Sequence, residues 1–172
     1  MGDYQKAFEL QLKAVDFARF GSPYWNFARI YYAKVNQDDL SKQLMKNQKE
    51  VQDAITDRDY KTYSKYEHPD INHITGDSNL SPFYQFSKAS FEETLEIVWN
   101  KFDLDNLHIN YSPDMKTAVL TFIATGSYAF KDTGEEVGYS TRASSVWVNT
   151  DLGWKIMHSS WAPNQDEIGI PK

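Results

Sequence analysis

The feature that most constrains this chain is a change of hydrophobic period part-way along it. From Leu107 onward the pattern is strand-like, in the runs 107–112, 117–130, 137–149 and 154–161. The breaks fall at Pro113-Asp114, at Lys131 to Gly134 and at Asn149 to Gly153, each short enough to join antiparallel neighbours. Before Leu107 the period is helical. Phe8, Leu12 and Val15, beside Ala7, Leu10, Ala14 and Phe17, form two adjoining stripes that end at Gly21-Ser22-Pro23. A second short helix is expected over 24–35, with Asn36 as its stop or as the cap of the next. Leu40, Leu44, Val51 and Ile55 mark a third, and Tyr60, Tyr63 and Tyr66 lie on a short helix leaving at Pro69. A short strand is expected at 71–75 and an irregular loop at 76–87. Ser90 and Glu93 stand at capping-box spacing, and behind them Phe91, Leu95, Val98, Trp99 and Phe102 fall on one face of an expected helix. Helices first and a meander afterwards predict an α+β domain, its helices packed on one face of a curved antiparallel sheet.

Composition narrows the functions. The 172 residues suit one domain with some excess for a terminal extension, and 10 Phe, 11 Tyr and 5 Trp supply ample core. Eighteen basic against 24 acidic side chains argue against a nucleic-acid surface. The absence of Cys removes disulfides, thiolate metal sites and a Cys nucleophile. No apolar run reaches the roughly 18–20 residues of a membrane span. The N-terminus lacks the basic-then-apolar order of a signal peptide, so a cytoplasmic location is expected.

Several side chains stand out as candidates. Alternation on the last strand sets Trp154, Ile156, His158 and Ser160 on one face and Lys155, Met157, Ser159 and Trp161 on the other. With Lys155 turned to solvent, His158 points inward, either as a proton-moving pocket residue or as a core His satisfied by one hydrogen bond. Arg142 sits mid-strand and requires an anionic partner, whether an acidic ligand or a carboxylate across an outer-face dimer. Trp99, Phe102, Phe122, Tyr128, Trp147 and Trp161 either line an apolar cavity or fill the core. His68, Asp70 and His73 invite a metal reading, but strand parity turns His73 away from Asp70, so no metal is expected.

Two stretches carry a family likeness. "DYKTYSKYEHPDI" at 59–71 resembles the turn after the first long helix of the calcium/calmodulin-dependent kinase association domain. "SSVWVNTDLGWKIMHSSWA" at 144–162 resembles the closing hairpin of SnoaL-like domains. The likeness covers roughly 38–162 and implies the cone-shaped fold of nuclear transport factor 2 and ketosteroid isomerase. It leaves 1–37 as an N-terminal helical extension and makes 38–172 the SnoaL-like domain. The fold implies one deep pocket, used across the superfamily by isomerases, dehydratases, cyclases, binding proteins and non-catalytic domains, and commonly a dimer through the outer sheet face. The resemblance casts His158 as acid–base and Tyr63 as donor to a developing oxyanion, with Asp70 or Asp77 as the acidic base near the mouth. Trp99, Trp147, Ser160 and Arg142 become ligand contacts. Ser160 stands where the family often has a second His. Thr125 and Ser145 stand where the kinase domain has pocket arginines, so its carboxylate site does not carry over. The expectation is therefore a homodimer that binds a small hydrophobic or aromatic molecule without a cofactor, with proton-transfer chemistry of isomerase, dehydratase or cyclase type as its catalytic form. The alternative is a non-catalytic assembly domain.

Overall fold

A computed structural model describes residues 30–77, apart from 32, and 83–164. The helical stripes expected over 3–20 lie outside the described residues. The chain divides into two compact units, 1–42 and 43–172. In the first, residues 30–31 and 33–35 are helical and Ala33 is buried.

Helix α1, Gln37–Thr56, buries Leu44, Gln48, Val51, Gln52 and Ala54, a stripe at helical spacing that includes two amides. Asp38 and Asp39 lie in its first turn, where the helix dipole favours negative charge. Arg58, in the left-handed region at φ 61°, turns the chain after it. Asp59 then caps the short α2, Tyr60–Tyr63, by accepting from the Thr62 N–H at 3.1 Å. A 3-10 turn, Ser64–Tyr66, follows, and the Lys155 ammonium donates to the Lys65 carbonyl at 2.7 Å, tying that turn to the last strand.

The sheet has the order β2-β1-β6-β5-β4-β3, from β1 His73–Asp77, β2 Tyr84–Phe86, β3 Ile97–Tyr111, β4 Thr117–Phe130, β5 Glu136–Thr150 and β6 Gly153–Pro163. All neighbours are antiparallel except β1 and β6, which run parallel. Alternation holds through the centre: Ala118, Leu120, Phe122 and Ala124 on β4, and Tyr139, Thr141, Ala143, Ser145 and Trp147 on β5, are all buried. Trp147 is fully enclosed and its indole N–H donates to Gln48 Oε1 at 3.0 Å, joining the sheet to α1.

Two sequence expectations need correction. The helix expected across 91–102 is only a short α3, Lys88–Glu92, and the chain is already strand at Ile97. A bulge between Trp99 and Lys101 leaves Asn100 unpaired, so Trp99 and Phe102 share the inner face although three residues apart. That spacing imitates a helix turn. The loop expected at 76–87 likewise contains β2, which pairs with β1.

Candidate functional site

The concave face encloses a cavity of about 290 Å³. Its walls come from α1 (Val51, Ile55), from Leu95, and from Ile97, Trp99, Phe102, Tyr139, Ile156 and Trp161 on the sheet. The aromatic wall is tightly built, with Trp99 edge-on to Phe102 at 5.0 Å and to Tyr139 at 4.9 Å. The half-buried Arg58 and the exposed Glu93 also line the cavity. The Arg58 guanidinium donates to the Glu93 carbonyl at 2.6 Å and lies over the Phe91 ring.

Beside the aromatics runs a polar stripe. Thr75, Ser159 and Ser145 are direct partners across β1, β6 and β5, so three hydroxyl side chains stand in one inward-facing row. Ser159 donates to Thr75 Oγ1 at 2.8 Å and accepts from His73 Nε2 at 2.9 Å, which leaves His73 Nδ1 as acceptor for the Tyr63 hydroxyl at 2.7 Å. The chain of donors thus runs Tyr63, His73, Ser159, Thr75. Burial, with a smaller contribution from His158, pushes the His73 pKa down to about 3, so the imidazole is neutral. Burial, followed by the charge of Glu67, pushes the Tyr63 phenol far above its ordinary value.

Among the sequence-predicted residues, Trp99 lines the cavity and Tyr63 stands one residue behind it, reaching it through His73. Trp147 is a core residue that orients Gln48, and Gln48 itself reaches the cavity. His158 does not line it. The strict alternation expected on the last strand is broken at Met157: Trp147 pairs with Ile156 and Val146 with His158, so Met157 is an extra residue. Beyond this bulge the phase inverts. Ser159 and Trp161 turn inward, while His158, beside the exposed Ile74 and the Phe83 ring, turns outward.

Ser160 and Arg142 are also outward. They line an open groove of about 510 Å³ across the convex face, with Asn106, His108, Thr121 and Ser144. Of His68, Asp70 and His73, for which no metal was expected, His68 Nδ1 accepts from the Asp70 N–H, whereas His73 is buried in the relay. Among the described residues no group of three His, Asp or Glu is placed to hold a metal ion. Asp77 is placed by its backbone, opposite Trp161.

His73, Thr75, Ser145, Ser159 and Gln52 line the cavity, and none of them was expected as a ligand contact. Their signal is polarity on an apolar phase: Gln48 and Gln52 fall on the buried stripe of α1, and Ser145 lies between Ala143 and Trp147 on the buried phase of β5.

Known proteins show the same architecture. The sequence profile of the SnoaL-like domain matches residues 48–163. A comparison with curated protein sequences found no match. Among solved structures, a nuclear transport factor 2-like superfamily protein from Salmonella enterica is 15% identical with a TM-score of 0.62, covering 79% of this chain and 99% of its own. The association domain of C. elegans CaMKII is 15% identical with a TM-score of 0.57, covering 73% of this chain and 98% of its own. The S. rosetta CaMKII hub is 16% identical with a TM-score of 0.58, covering 72% and 95%. At such identities the likeness establishes the fold.

Proposed function

The chain belongs to the SnoaL-like domain family, and from that premise we propose that its concave cavity binds a small organic molecule with a largely aromatic or apolar body. One observation carries the reading: a concave cavity of about 290 Å³ is lined both by a cluster of aromatics and by a row of hydroxyls. Apolar walls with a few convergent polar groups are the ordinary make-up of small-molecule sites, and the volume lies near the lower end of their range. Binding is favoured over proton transfer because neither His73 nor Tyr63 changes protonation near neutral pH. Tyr63 then serves as the hydrogen-bond donor that holds His73 in place, while Trp99 contacts the ligand body.

Native mass spectrometry of the full-length protein, incubated with a set of small uncharged aromatic compounds, tests this. The wild type should retain a compound that leaves on gentle activation, and Ile156→Trp, which fills the cavity, should retain none. A wild type that stays bare throughout contradicts the reading.

The convex face supports a second role. Arg142, paired between Ile123 and Ala162, has no ion-pair partner among the described residues, and the groove around it is open. Two of the three solved structures named above are association or hub domains. Self-association through this face would surround Arg142 with a second copy. The same spectra read it out: a dimer or larger assembly that Arg142→Glu dissociates supports this role, and a monomer at all concentrations contradicts it.

A further inference from the structure

Two buried polar groups at the cavity have no partner among the described residues. Gln52 is 6% exposed and Ser145 is fully buried, yet neither Gln52 Oε1 nor Ser145 Oγ makes a hydrogen bond to a described residue. Buried polar atoms are nearly always satisfied, because an unmade bond costs roughly 1–3 kcal/mol. Both residues line the same cavity.

Both lie near the contact of α1 with β5. The Trp147 indole bond to Gln48 fixes where β5 meets α1. Gln52 lies one helical turn beyond Gln48, about 6 Å along the axis. Ser145 lies two strand residues from Trp147, about 7 Å away. Both border the cavity, Gln52 from α1 with Val51 and Ile55, and Ser145 from β5. Ser145 is also the end of the hydroxyl row, next to Ser159, whose own bonds are taken by His73 and Thr75.

The pair has a definite chemistry. The Gln52 oxygen only accepts, so its partner must donate; the Ser145 hydroxyl both donates and accepts. Charge is poorly matched there. Arg58 is the one cation among the described lining residues, and its guanidinium is engaged with the Glu93 carbonyl and the Phe91 ring. An ionised ligand group set against Gln52 and Ser145 would be buried without a counter-charge, which is costly.

Resting on the pocket reading above, we propose that the occupant carries an uncharged hydrogen-bond donor, a hydroxyl or an amide N–H, seated between Gln52 and Ser145, with its apolar body against Trp99, Phe102 and Trp161. The head satisfies both orphaned atoms at once, and the aromatic wall supplies most of the buried area.

Isothermal titration calorimetry of the full-length protein at neutral pH, with four probes of similar size, tests the proposal. 2-Naphthol donates and accepts, 2-methoxynaphthalene only accepts, naphthalene does neither, and 2-naphthoate is charged. 2-Naphthol should bind about tenfold or more tightly than 2-methoxynaphthalene or naphthalene, the effect of about one hydrogen bond. 2-Naphthoate should bind most weakly. In Ser145→Ala and in Gln52→Leu the preference for 2-naphthol should fall while naphthalene affinity is kept, and retained naphthalene binding shows that each variant is folded. Equal affinity for 2-naphthol and 2-methoxynaphthalene, or tightest binding of 2-naphthoate, would overturn the assigned head group and leave the pocket reading standing. Failure of all four to bind would overturn the pocket reading, and this proposal with it.

Discussion

At the scale of single residues, His73 ties stability to pH. Its pKa, ordinarily 6.5, is about 3 in the folded protein because the imidazole is buried against Tyr63 and Ser159. In the unfolded chain it takes up a proton near its ordinary value. Between those limits the unfolded state binds more protons, so the contribution of His73 is whole above about pH 6.5 and is lost as pH falls toward 3. Denaturant unfolding over that window should show His73→Gln with a shallower pH dependence than the wild type, by about 1.4 kcal/mol per pH unit. Parallel profiles for the two proteins would mean that His73 protonates freely in the fold. This residue also shows what was hard to read. In the sequence His73 belonged to a surface-like cluster with His68 and Asp70; only the parallel pairing of β1 with β6, a contact between segments more than eighty residues apart, brings it to Ser159. The resemblance of its turn singled out Tyr63 as a donor; in the structure that hydroxyl meets His73, a partner the sequence did not reveal.

At the scale of elements, two bulges decide which side chains meet the cavity. The one opposite Val146 and Trp147 inverts the phase of β6 and exchanges His158 for Ser159; the one at Asn100 brings Trp99 and Phe102 together. Strict alternation cannot reveal an inserted residue, because one extra position reverses every assignment after it. Where no bulge intervenes, as along Thr117–Phe130, the expected strand and the observed one coincide. The Asn100 bulge has a measurable requirement. Gly126 pairs with Phe102 beside it, and a Cβ there would overlap the Lys101 carbonyl oxygen, a backbone atom with little room to give. Gly126→Ala should therefore destabilise by about 3 kcal/mol or more. Gly138 on β5 has nothing within 4 Å of such a Cβ, and Gly138→Ala should stay within about 0.5 kcal/mol of the wild type. Chemical unfolding of the pair checks this, and similar values for both would place the bulge elsewhere.

At the scale of the whole molecule, the α+β class, the meander and the family were all legible, because a change of hydrophobic period and a Trp-turn-Gly-Trp hairpin are local signals. A pocket was expected only from the resemblance, and most of its lining was not legible, since it is the remainder left when α1, the aromatics of β3 and the hydroxyl row are all in place. What the fold builds is two surfaces of different character: a concave cavity beside polar atoms unsatisfied among the described residues, and an open convex groove around Arg142. The central claim is that the first of these takes the ligand. A 1H–15N correlation spectrum of the tryptophan indoles, recorded while 2-naphthol is titrated in, tests it most directly. Trp99 and Trp161 line the cavity, whereas Trp154 packs near Tyr111 away from it. The prediction is that the Trp99 and Trp161 signals move together along one binding curve while Trp154 stays in place. Unmoved Trp99 and Trp161 signals at saturation, with shifts confined to the backbone around Arg142 and Ser160, would contradict it.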